Sequence, residues 1–226
     1  MKELIFSFFL LLLFGTSLKA QNHFGGVHLN GGIATGALQN EVEGLFVPSV
    51  SIQGLFRLSS TPIYLGGELG YSRYGSALTR SNSIINGTEQ RFRIRRNNNA
   101  AYLTGLIRIM PETSFGVLPF VEAQLGGIHT FTRSRVRENR LSEPLSSGTE
   151  VYDWALLYQL GGGVMIPLNE SRETFLELRV SYINSGEMDI LTKQDASYND
   201  QGQVRLNPRR TPFELIQPSV AVKFNF

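Results

Sequence analysis

The 226-residue chain has no cysteine, one tryptophan, three histidines and only four lysines among its 21 basic residues. Without cysteine there is no disulfide to brace the fold and no thiol to carry a lipid at a processed N-terminus. Beyond the first twenty residues no apolar run approaches the ~18–20 residues a membrane-crossing helix requires, and no strong 3.6-residue period appears. The formal net charge is +2, which gives no ground for a nucleic-acid partner. There is no phosphate-cradling glycine loop and no ligand spacing for a metal, so neither metal nor cofactor is expected. The scarcity of lysine leaves the positive charge almost wholly on arginine, the side chain that presents a planar fork to phosphate and carboxylate.

The N-terminus reads as a secretory signal over residues 1–20. Lys2 supplies the positive end, residues 4–14 an apolar run, and residues 15–20 a small-residue cleavage region. The reading makes 21–226 a single domain, beginning at Gln21 and exported across the inner membrane.

What the rest of the chain has in abundance is two-residue periodicity. In the last stretch, Ile216, Pro218, Val220, Val222, Phe224 and Phe226 alternate with Gln217, Ser219, Ala221, Lys223 and Asn225. This is a strand with one apolar and one polar face. The same alternation runs through 27–34, 50–58, 64–72, 101–109, 121–127, 156–166 and 176–182, giving eight strands. Short connections, 59–62, 110–117 and 169–174, alternate with long polar ones near 75–99, 132–153 and 184–211; the link at 38–44 is shorter. Short turns at one rim and long loops at the other describe a transmembrane barrel with its long loops outside. A soluble barrel of this size turns its apolar face inward. Here the polar face carries charges of both signs among glycine and serine, which suits the narrow interior of an eight-stranded barrel. A soluble β-sandwich is the alternative.

In its closing "PSVAVKFNF", its glycine-rich strands "LGGELGYS", "FVEAQLGG" and "YQLGGGV", and its loop pattern, the chain resembles the outer-membrane β-barrel family of small porin-like proteins of the OmpA and OmpX type. The resemblance covers nearly all of the chain after residue 20. It implies an all-β fold, an eight-stranded antiparallel up-and-down barrel, monomeric in the outer membrane of a Gram-negative bacterium. It also implies that the barrel-assembly machinery reads the last strand through Val222, Phe224 and Phe226. No peptidoglycan-binding domain is expected after the barrel, which removes cell-wall anchoring as an expectation.

Three sets of residues are candidates for function. Arg57, Glu68, Arg108, Glu122, Glu177, Arg179 and Lys223 share the inner face, where they form either a plug of ion pairs or the lining of a narrow pore. Arg73, Arg91, Arg93, Arg95, Arg133, Arg135 and Arg137 continue the outward faces of the third to fifth strands beyond the membrane, with Arg93 expected opposite Arg133 or Arg135. Like charges facing across a sheet call for an anion, and at the outer rim that anion is lipopolysaccharide phosphate. Solvated loop charge, with a bulge near 97–100 breaking the alternation, is the plainer reading. Aromatic girdles are expected from Tyr71, Phe131, Trp154, Tyr158 and Tyr182 outside, and from Phe56, Phe175, Phe224 and Phe226 inside. Among the histidines, His129 near the outer rim has Ser134 not far off, but no orienting third group completes a catalytic set. The expected role is therefore non-enzymatic and structural or porin-like, with surface loops contacting lipopolysaccharide or partners. A small-solute channel comes next, then an adhesin or secretion-accessory barrel; a lipid A-modifying enzyme is the least favoured.

Overall fold

A computed structural model describes residues 23–42, 44–85, 88–114, 116–137, 143, 145–191, 196–198 and 204–226, and their side chains except at 79–92, 150, 196–198 and 204–206. The signal segment read at 1–20 lies outside these residues. The barrel strands are β1 (His23–Ala34), β2 (Phe46–Arg57), β3 (Ile63–Ile85), β4 (Thr88–Ile109), β5 (Leu118–Arg137), β6 (Ser146–Pro167), β7 (Thr174–Ser185) and β12 (Leu215–Asn225). Each pairs antiparallel with its sequence neighbour, and β12 closes the circle on β1. At the seam Val27 stands opposite Val222, and the N–H of Phe226 donates to the carbonyl of His23 at 3.0 Å. Over the height that all eight strands share, closure leaves no open edge, the condition for crossing lipid with strands.

The alternation sorts residues as the periodicity requires. Leu29, Ile52, Leu69, Leu103, Leu156 and Val220 point outward and are exposed, whereas Asn30, Ser51, Glu68, Thr104, Gln159 and Ser219 point inward and are buried. The belt of outward leucine, valine and isoleucine faces lipid, so the chain is an integral β-barrel of the outer-membrane kind.

The wall is uneven in height. β1, β2, β7 and β12 run 11 or 12 residues, close to the ~9–11 a tilted strand needs to span a bilayer, but β3 to β6 run 20 to 23. Much of 75–99 and 132–153, read from the sequence as loop, is thus strand rising beyond the membrane. The short turns at the opposite rim are tight. Asn169 Oδ1 accepts from the N–H groups of Glu173 and Thr174 at 3.0 and 3.2 Å, and Ser59 takes the left-handed conformation with φ 54°.

The described residues of the long 184–211 connection are also structured. β8 (Glu187–Ile190) leaves the end of β7, pairs with β11 (Arg209–Pro212), and folds across the outer mouth; β9 (Ala196–Tyr198) and β10 (Val204–Leu206) pair beyond it. Met188 and Ile190 are wholly buried against Tyr102, Ile128, Leu157 and Ile183. A short helix α1 (Gly36–Glu41), which the sequence reading lacked, joins β1 to β2 and buries Leu38 in the same cluster. The lid is clamped to the wall by polar contacts. Asp153 Oδ2 accepts from the Asp189 N–H at 2.9 Å, Asn98 Nδ2 donates to the Leu191 carbonyl, and Arg209 bonds Glu41 of α1 at 3.0 Å.

A second apolar cluster fills the periplasmic end of the lumen: Phe24, Leu55, Tyr64, Leu106, Phe120 and Phe175 with the two methionines Met110 and Met165. Phe175, expected on the periplasmic girdle, is instead buried inside and meets Phe24 edge-on at 5.5 Å. Its alternation with outward Leu176 requires this.

Crowding inside the barrel makes glycine necessary at selected inward positions. A Cβ on Gly70 would lie 2.1 Å from the Tyr102 ring, whereas outward Gly54 has nothing within 4 Å. Gly70→Val is expected to block refolding in detergent, read as loss of heat-modifiable gel mobility, while Gly54→Ala folds normally. Normal folding of Gly70→Val would contradict the packed interior.

Candidate functional site

Between the two apolar clusters lies a layer of buried charge. Arg108 on β4 donates from Nε and Nη2 to Glu122 Oε2 at 2.9 and 2.6 Å, and from Nη1 to Glu177 Oε2 at 2.8 Å. Arg179 on β7 bonds Glu68 Oε2 at 2.8 Å and Glu122 Oε1 at 2.7 Å through Nη1. Glu122 on β5 therefore joins the two arginines. Lys223 on β12 stands 3.8 Å from Glu177 and donates to Gln53. Three carboxylates face three cations, all of them buried.

Neutral side chains satisfy much of what remains. Glu68 also accepts from Ser51 at 2.7 Å, Gln53 at 2.9 Å and Tyr102 at 3.1 Å, and Glu122 from Gln124 at 2.9 Å. The Arg108 guanidinium lies 3.7 Å over the Phe120 ring, where the ionic layer meets the apolar one. His28 is buried in the same layer, its Nδ1 3.9 Å from Glu177.

Arg57 does not join this network. It sits at the periplasmic rim, paired with exposed Glu112 at 2.8 Å and donating to the Thr61 carbonyl at 2.9 Å. At the end of β2 the inward face has already run out of the barrel.

The outer arginines form a different constellation, laid out in rows by strand register. The first row, Tyr71–Ala101–His129–Trp154, crosses β3 to β6 at the top of the lipid-facing belt. The rows above it are Arg73–Asn99–Phe131–Tyr152, then Ser76–Asn97–Arg133, Leu78–Arg95–Arg135, and Arg93 beside Arg137. Arg93 thus faces Arg137, and Arg95 faces Arg135, so Arg93 stands one row from the expected Arg135 and two rows from the expected Arg133. The β4–β5 ladder runs without a shift; the irregularities fall between Arg73 and Gly75 on β3 and between Thr132 and Arg133 on β5 against β6. The alternation of β4 is therefore unbroken through 97–100.

Arg73, Arg93, Arg95, Arg135 and Arg137, with Leu78 and Asn97, line a recess of about 320 Å³ on this outward face. Among the described residues, those that line the recess include no carboxylate. Arg133 is exposed on the same face outside the recess. Arg91 stands opposite Asn82 in the backbone register, and its side chain lies outside those described.

The Asn97–Asn99 run is what the sequence reading passed over. Asn99 Oδ1 accepts from the Tyr71 hydroxyl at 2.8 Å and Arg73 Nε at 3.3 Å, anchoring the base of the recess, while Asn97 accepts from Ser76 at 3.0 Å. Asn98, facing inward, ties the lid. Three consecutive asparagines are out of place in a strand on propensity alone, and that is the signal the sequence offers.

Of the outer girdle, Tyr71, Trp154, Tyr158 and Tyr182 are exposed and Phe131 is half-buried; Phe56, Phe224 and Phe226 are exposed at the other end. Val222, Phe224 and Phe226 share one outward face. His129 stacks on Trp154 at 4.1 Å between centroids, and its Nδ1 lies 3.1 Å from the Asp153 carbonyl oxygen. Ser134 is buried on the opposite face of β5, so it does not meet His129.

No protein-family model matches the chain, and no curated protein matches it. Among solved structures it is similar to Neisserial surface protein A, at 14% identity over 90% of this chain and 97% of that one, with a TM-score of 0.46. It is similar also to a major outer membrane protein of Thermus thermophilus, at 12% over 89% and 99% with a TM-score of 0.43. A third is Ail, the attachment invasion locus protein of Yersinia pestis, at 7% over 91% and 97% with a TM-score of 0.40.

Removing one partner of a buried pair leaves uncompensated charge and costs about 3–5 kcal/mol. Arg108→Leu takes one cation from both Glu122 and Glu177, leaving them Arg179 and Lys223, and is expected to lower unfolding stability in urea by that order. Arg57→Ala, breaking a rim pair, is expected to cost less than about 1 kcal/mol. Equal losses from the two would contradict the assignment of Arg57 to the rim.

Proposed function

We propose that the chain is a non-enzymatic, monomeric structural barrel of the outer membrane that engages lipopolysaccharide through the raised outer face of β3 to β5. Export follows the signal segment at 1–20, and the assembly machinery recognises the outward face of Val222, Phe224 and Phe226. The observation that carries the reading is the recess on that face, lined by five arginines with two arginine pairs directly opposed across β4 and β5. Opposed like charges destabilise a sheet, and forked guanidinium groups converge well on phosphate oxygens. An anion bound there removes the repulsion and gains several charge-assisted hydrogen bonds. The environment of His129, stacked on an aromatic ring with Ser134 on the other face, supports a role without catalysis. The filled lumen supports a closed barrel over a small-solute channel.

Replacing both Arg93 and Arg135 by glutamate turns two attractive sites into repulsive ones. Lipopolysaccharide recovered with the purified barrel is expected to fall several-fold, with heat-modifiable mobility retained. Unchanged lipopolysaccharide content in the folded double variant would remove the basis of this reading.

A further inference from the structure

The rows of the outer face set the height at which an anion is held, and height distinguishes one phosphate of a glycolipid from another. The girdle row of Tyr71, Ala101, His129 and Trp154 marks the upper edge of the lipid-facing belt. Arg95 and Arg135 stand six residues beyond Ala101 and His129 along β4 and β5, and Arg93 and Arg137 stand eight beyond. At ~3.3 Å per residue these are roughly 20 and 27 Å along the strands. With strands tilted by about 35–45°, these four arginines lie roughly 15–20 Å above the membrane edge, while Arg73, at the base of the recess, stands one row above the girdle. Phosphates attached to the acylated base of a glycolipid stay at the interface, because the acyl chains hold that base there. They do not reach those four arginines. A phosphate carried further out on the headgroup saccharide does.

We propose that the four upper arginines of the recess take a phosphate borne on the core saccharide of the outer-leaflet glycolipid, and that the intervening Phe131–Tyr152 row supports the sugars that lead up to it. This inference rests on the lipopolysaccharide reading and names the part of the molecule that is bound. The recess volume of about 320 Å³ has room for a phosphorylated sugar rather than a bare phosphate. Between girdle and recess, Phe131 pairs with Tyr152 across β5 and β6, directly above His129 and Trp154. Tyr152 and Trp154 are 68% and 66% exposed and present ring faces suited to the apolar faces of sugars. Asn97 and Ser76, hydrogen-bonded to each other at 3.0 Å in the row beneath Arg95, add neutral polar groups beside the charge.

The test uses the refolded full chain in lipid nanodiscs, offered three glycolipids: lipopolysaccharide with a phosphorylated core, the same molecule with its core phosphates removed, and lipid A alone. The phosphorylated-core form is expected to bind at least about tenfold more tightly than the other two. Arg95→Gln with Arg135→Gln is expected to abolish that preference, bringing the phosphorylated-core form down to the level of the other two. Equal binding of all three glycolipids by the unmodified protein would overturn the assignment to the core phosphate and leave the lipopolysaccharide reading standing. Binding of none of them would overturn both. The comparison among ligands is made on the unmodified chain, so the outcome does not depend on how the variant folds.

Discussion

Glu122 is the residue on which the interior depends, because it accepts from two arginines that otherwise belong to separate pairs. Arg108 links it to Glu177, Arg179 links it to Glu68, and Lys223 leans on Glu177. The six charges come from β3, β4, β5, β7 and β12, so one network spans most of the barrel's circumference. Charges this deep are tolerated only when paired. A slip of one residue in any of these strands would turn its charge toward lipid and its leucine or valine toward the lumen. The register of the wall and the content of the lumen are thus the same constraint seen twice. An ion pair of this kind contributes more to specifying the arrangement than to net stability.

The rest of the lumen follows from where charge is absent. Toward the periplasm the inward positions turn to phenylalanine, leucine and methionine; toward the outside they turn apolar again, and β8 and α1 pack over the mouth. A barrel filled in three layers has its interior committed to its own fold. Under the proposed reading its contacts with other molecules fall to the outer surface, where β3 to β6 continue about ten residues past the span of a bilayer. On this raised wall the side chains change character row by row. The leucines of the membrane belt give way to aromatics, the aromatics to asparagine, and the asparagine to arginine.

The parts of this structure that are legible in the sequence are those that depend on parity alone. Outward Leu29 and inward Asn30 can be told apart by reading every second residue, and so can the buried Glu68, Glu122 and Glu177. What parity does not contain is where a strand ends and which residue it faces. Arg57 has the inward parity of Ser51 and Gln53, yet it lies at the rim because β2 ends there. Arg93 faces Arg137 because the ladder is counted from the turn at 110–117, whose geometry no residue pattern announces. Phe175 has the look of a girdle residue, an aromatic near a strand end, but its own alternation with Leu176 turns it inward. The lid is hidden for another reason. Met188, Ile190 and Phe213 stand in a polar stretch, and only the open mouth of the barrel beneath them supplies the apolar surface they cover. The charges of the outer hairpins look like loop charge because strand propensity is weak in runs of arginine and asparagine; the pairing of long neighbours overrides it.

The claim that most of this account rests on is that the lumen is closed by its own side chains. Single-channel recording of the refolded protein in planar bilayers tests it directly. The account predicts a folded barrel that stays electrically silent across the applied voltage range. Steady, reproducible openings would show that the ionic layer lines a water path and that the apolar layers part, and would contradict it.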